Sequence, residues 1–252
     1  MQGPVTDQGR AAEGRELHYE RWQWGGRPPS QTLRRVRGSN VLGLVTFDSE
    51  LVHALDAAGP QVQRAAALLA ARRACETAGL TDVSWVAQAL IALDERRPLP
   101  PPFDNAAQMW RALGSTPLTP GPPVLMAMPP ERPPYFPPTP TGWAWIPIAQ
   151  PRGDGAKEYE LGRTPGTGDA KSAIPADLRH HGAILLFPVG APQVPEAISQ
   201  PHFALPAVLA AAELSPLHAA LDAVWHAVHT YGEHYPELLE EIRSICAKGA
   251  DE

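Results

Sequence analysis

His218, Asp222, His226, His229 and His234 are the residues of this chain whose types and spacing best suit chemistry. At about 100° per residue, His218, Asp222 and His229 fall within about 40° of one another on one helix face, with His226 about 40° further round. His234 follows just past the expected end of that helix. Imidazoles and a carboxylate on neighbouring turns can chelate a divalent ion, which would activate a water for hydrolysis. One helix face cannot complete a tetrahedral or octahedral shell, so a metal site needs a further ligand from elsewhere. No HExxH-type signature is present. The alternative is the polar shoulder of a surface helix. The expected arrangement has these side chains pointing outward and gaining charge together as pH falls through the region near 6.5.

Aromatic residues form the second group. Trp22 with Trp24, and Trp143 with Trp145, are W-x-W pairs that would share one side of a strand. Such pairs either fill a layer between sheet and helices or present large rings to a partner or a small molecule. Tyr135 and Phe136 sit between Pro133, Pro134, Pro137 and Pro138 in an extended setting suited to surface packing or to polyproline-type recognition.

Other motifs fall short. Gly162 to Ser172 looks like a phosphate loop, but Asp169 and Ala170 separate Gly168 from Lys171, so the spacing fails and the loop reads as a connection. His180 and His181 read as structural residues at the entry to a strand. Cys75 and Cys246 lie within apolar helical patterns and read as reduced core residues. There is no GxSxG elbow and no GxGxxG after a strand.

The elements that position these groups follow from periodicity and breakers. Residues 1–14 are polar and without period, and are expected to be a disordered leader. Residues 15–24 and Val41 to Phe47 read as strands from their aromatic and apolar density. Asp48 is placed as the N-cap of a helix to Ala58, followed by helices from Gln61 to Gly79, from Thr81 or Asp82 to Pro98, and from Asp104 to Leu113. Prolines occupy 11 of the 24 residues from Pro117 to Pro140, leaving Val124 to Met128 as a short strand in a surface-wrapping segment. Trp143 to Ile148, Glu158 to Leu161 and Gly182 to Phe187 complete the strand candidates. Helices from Pro206 to Leu214, from Ser215 with Pro216 to Gly232, and from Pro236 to Cys246 close the chain. In the second of these, Leu217, Leu221, Val224, Val228 and Tyr231 form one apolar stripe.

The fold class so expected is α+β: a helical N-terminal half, a small mixed or antiparallel sheet from the middle, and a C-terminal helical hairpin. Residues 15–252 are expected to form a single compact domain. At 252 residues, 44% apolar and 19% charged, the chain has material for a sizeable core. A net charge of −6 and the absence of a dense basic face exclude phosphate-backbone binding as an expectation. No run of apolar residues suggests a membrane span, and no secretory leader is read at the N-terminus, so a cytoplasmic location is expected. Three lysines against eighteen arginines, with abundant Ala, Pro and Gly, suggest a GC-rich bacterial gene. The function expected is non-catalytic binding of another protein, as an immunity-type or accessory protein, with no cofactor. The alternatives are a metal-dependent hydrolase using the histidine helix and a small-molecule binder with a tryptophan-lined pocket.

Overall fold

The computed structural model describes residues 7–118, 123–139, 143–147, 158–163, 184–185 and 197–249. Helix predominates, at 64% against 5% strand, which overturns the α+β assignment. The helices are α1 (Asp7–Gln23), α2 (Gln31–Arg35), α3 (Ser39–Phe47), α4 (Ser49–Ala57), α5 (Pro60–Thr77), α6 (Ser84–Asp94), α7 (Ala106–Ser115), α8 (Gln200–Ala211), α9 (Pro216–Tyr231) and α10 (Tyr235–Lys248). The strand content is a short antiparallel ribbon of β1 (Trp143–Pro147), β2 (Glu158–Arg163) and β3 (Ile184–Leu185), in the order β1-β2-β3. In its register Trp143 faces Arg163 and Trp145 faces Leu161.

Two expected strands are helices, for identifiable reasons. The run Val41 to Phe47 is apolar throughout, and a short run of this kind carries no period that separates a buried strand from a buried helix. Packing decides: Val41, Leu44 and Val45 are buried at helical spacing along α3. Residues 15–24 continue a stretch rich in Ala, Glu, Arg and Leu, and that helix propensity outweighs the aromatic density of Tyr19, Trp22 and Trp24. Residues 7–14 belong to α1.

The chain divides into two compact units, Met1–Glu20 with Arg132–Val194 and Arg21–Glu131 with Pro195–Glu252. The proline segment is shared between them. Val124 and Ala127 are buried in the second unit, where Leu125 bridges Ala197, and the part from Arg132 onward belongs to the first.

The second unit is built around α9, which packs against α5, α8, α3, α10 and α4. Alanines make the close contacts: Ala66, Ala67, Ala70, Ala71 and Ala74 of α5 meet a core that includes Ala219, Ala220, Ala223 and Ala227 of α9. Side chains this small let helix axes approach to the short end of the usual range of about 8–10 Å. The stripe Leu217, Leu221, Val224 and Val228 is buried as expected, and Tyr231 packs against the same core. The alanines, however, bury α9 on further sides. It is a central helix, not the outer member of a hairpin.

The termini of the elements obey local rules. The Asp48 side chain accepts from the Leu51 amide at 2.9 Å to cap α4, and Ser215 accepts from the His218 amide to cap α9, with Pro216 at its first turn. Gly232 ends α9 at φ 57°, with the Leu125 carbonyl so close that a Cβ would lie 2.1 Å from its oxygen. Among the described residues no helix is long and apolar enough to cross a membrane.

Candidate functional site

The histidine face of α9 is covered by α3. Asn40 hydrogen-bonds Asp222, Gly43 lies beneath Trp225, and Phe47 meets the His229 ring edge to face at 5.8 Å. These contacts pair residues 40, 43 and 47 with 222, 225 and 229, so α3 tracks α9 turn by turn. The close approach requires glycine at 43, because a Cβ there would sit 2.4 Å from the Trp225 ring. Trp225 lies at the edge of the face shared by His218, Asp222 and His229, seven residues from the first and four from the last. That tryptophan was the signal in the sequence that the face is not a solvated one.

The five candidate ligands therefore divide into three groups. His218 Nε2 contacts Asp222 Oδ2 at 3.1 Å near the start of α9, with the histidine side chain 40% exposed. Burial raises the Asp222 carboxyl above its usual range, against the opposing effects of His218 and of the hydrogen bond from Asn40. His226 and His229 sit one turn apart in the C-terminal half of α9, with His229 in its last turn. Burial pushes His226 down to about 4, with a smaller contribution from His229, and burial lowers His229 as well. His234 is exposed beyond the end of α9. At about 1.5 Å per residue, His218 and His229 are roughly 16 Å apart along the helix, beyond the reach of one ion. Among the described residues no three His, Cys, Asp or Glu side chains converge on a point that would hold a metal. Of the expected outward, jointly charging histidine surface, His226 and His229 are half-buried, and burial lowers both below the ordinary imidazole range.

The tryptophan pairs also separate. Trp24 is fully buried, its indole N–H without an acceptor among the described residues, and its carbonyl lies 3.1 Å from His53 Nε2. Trp22 is half-buried on α1, where an i, i+2 spacing sends the two rings in different directions. Trp143 and Trp145 are half-buried on β1, and the Trp145 indole donates to the Pro137 carbonyl at 3.0 Å. Phe136 packs on Tyr159 at 4.8 Å and on Trp145 at 6.0 Å, while Tyr135 meets Tyr19 edge to face at 5.0 Å. Tyr135, Phe136, Trp143 and Trp145 thus form aromatic packing within the first unit. The loop 164–172, His180 and His181 lie outside the described residues.

Sequence reasoning missed a cleft of about 460 Å³ in the second unit, lined by Trp110, Leu113, Gly114, Leu118, Ser199, Pro201 and His202. The buried Met109 and Leu113 anchor α7 and leave Trp110 at its edge, 38% exposed. His202, in the first turn of α8, stacks on the Trp110 indole at 5.5 Å with the planes 14° apart. Its Nδ1 is 2.7 Å from Ser199 Oγ, which fixes the ring plane. Gln200 donates to the Thr230 carbonyl and the Ile198 amide to the Val124 carbonyl, so this wall of the cleft is tied to α9 and to the extended segment. The cleft is open, with apolar walls and hydrogen-bonding groups at the serine and the histidine.

No protein-family model matches the chain, and no curated protein or solved structure shows significant similarity to it.

Proposed function

We propose that the protein acts by binding another protein, and that an apolar side chain of the partner enters the cleft between α7 and the start of α8. The observation that carries this reading is the exposed Trp110, its plane held in place by the His202 stack. Tryptophan combines large contact area with few rotatable bonds, and such residues dominate binding energy when a partner closes over them. A pre-oriented ring also loses little side-chain entropy on binding. The openness favours a polypeptide over a small molecule, since small ligands are held in pockets that enclose most of their surface.

A non-catalytic role agrees with the condition of the reactive groups. Burial holds the Cys75 thiol protonated, with its pKa pushed up to about 12, and His229 is committed to packing on Phe47, Phe203 and Trp225. Both cysteines are free thiols, in keeping with a reducing, cytoplasmic setting. Photo-crosslinkers placed at Gly114 and at Asp56 test the site. The reading expects one protein to be captured from position 114, not from 56, and to be lost in Trp110→Ala. Equal capture from both positions, or capture indifferent to Trp110, would refute it.

A further inference from the structure

The ring of His229 is enclosed by aromatic side chains from three helices. Phe47 of α3 and Trp225 of α9 approach it edge to face at 5.8 and 4.2 Å, and Phe203 of α8 stacks on it at 5.5 Å. Its Nε2 is buried without a hydrogen-bond partner among the described residues. A neutral ring can place an unprotonated nitrogen there at modest cost, whereas an imidazolium would put an N–H donor and a charge where no acceptor waits. The ring faces offer some cation–π compensation, but two of the three neighbours are T-shaped to it.

The charged groups on the elements around α9 are engaged elsewhere. Asp48, after α3, is paired with Arg243 of α10, and Asp222 with His218. His202 of α8 is held by Ser199, and His53 of α4 by the Trp24 carbonyl. Glu50 of α4 pairs with Arg27. On α5, Arg64 binds the carbonyls of Glu213 and Leu214, Arg72 pairs with Asp94, and Arg73 with Glu76 and Glu241. Glu240 of α10 pairs with Arg243. Asp56, Glu233, His234, Glu237 and Lys248 complete the set, and none of them shifts either ring. The charge that acts on His226 is that of His229 itself.

We propose that the seam between α3 and α9 is an acid-released joint, closed by the neutral ring of His229 with His226 as a second protonation site one turn away. Protonating either ring adds a charge to a region that has no anion to receive it, and adding both sets two like charges on adjacent turns. Phe47, which packs edge to face on the His229 ring, is the last residue of α3. Acid therefore acts first on α3, through Phe47, and on the Phe203 contact of α8, whereas the alanine contacts between α5 and α9 contain no titrating group. The joint is independent of the cleft at Trp110.

The sign follows from linkage. A histidine whose folded pKa lies below its unfolded value of about 6.5 stabilises the fold above that value, and the contribution is lost as pH falls toward the folded pKa. With His226 at about 4, the folding constant should fall roughly tenfold to thirtyfold between pH 8 and pH 5 from this residue alone. Urea denaturation across that range is to be compared for the wild type, His226→Gln/His229→Gln and His218→Gln/His234→Gln. The first double variant should flatten the slope and the second should leave it. Ring titration of the wild-type protein by NMR covers the case in which the variant fails to fold. Of the nine histidines, His226 should stay neutral below pH 5 and His229 should titrate below the ordinary imidazole range, and the amides of α3 should lose exchange protection first on acidification. Every histidine titrating near 6.5, an unaltered slope in the first variant, or α3 protected to the point of global unfolding would each overturn the proposal.

Discussion

Gly43 and Trp225 show how much a single residue decides here. Replacing Gly43 with alanine would drive a methyl to within 2.4 Å of the indole, so α3 must lift or Trp225 must leave its rotamer. The expected cost is about 1–3 kcal/mol, the usual range for overpacking, read as a lowered urea midpoint. Cysteine reactivity follows the same logic of burial. Cys75 lies fully buried with its thiol pushed up to about 12, whereas Cys246 is half-buried and raised less. A thiol reagent at pH 8 should label Cys246 in the native protein and Cys75 only under unfolding conditions. Rapid native labelling of Cys75 would contradict the packing of α5. At this scale the sequence was only partly legible. Spacing located the histidines on one face, but that Trp225 shares the face with them, and that Gly43 receives it, depends on a contact between segments far apart in the chain.

Elements declared their ends better than their kinds. Asp48, Ser215 with Pro216, and Gly232 were all recognisable as helix boundaries, because capping depends on side-chain and backbone chemistry within a few residues. Asp48 also binds Arg243 of α10. Asp48→Ala should therefore cost about 1 kcal/mol for the cap alone, measurable by thermal or urea unfolding. Gly232→Ala should cost more than an ordinary surface substitution, since φ is positive and the Leu125 carbonyl occupies the space of a Cβ. What the residues could not reveal was that Val41 to Phe47 is helical. Local pattern is silent for a short run that is apolar on every side, and the neighbouring α9 supplies the deciding contacts. The α+β expectation fell to the weight of helix, and of the strands expected from the middle only the short ribbon β1-β2-β3 is present among the described residues.

The molecule as a whole keeps its large core in one unit, Arg21–Glu131 with Pro195–Glu252. Leu125 bridges Ala197 within that unit, and the Ile198 amide bonds the Val124 carbonyl, so the two stretches of chain meet close to where the other unit is inserted. Replacing residues 132–194 by a short glycine-serine linker should leave a helical protein that unfolds cooperatively. Loss of cooperative unfolding would show that the second unit does not stand alone. Composition had indicated enough apolar material for a core, but of the three boundaries, after Glu20, Glu131 and Val194, only the second lies in a segment that composition marks, the proline-rich one.

Binding through the cleft depends on Trp110, an exposed ring whose orientation is fixed by His202. The most direct measurement is the affinity of the cross-linked partner, purified, for the wild type, Trp110→Ala and His202→Ala by calorimetry. Trp110→Ala should weaken binding by about 2 kcal/mol or more, the threshold of a hot spot, with His202→Ala weakening it less and both variants unfolding at the wild-type midpoint. Unchanged affinity in a folded Trp110→Ala protein would contradict the account.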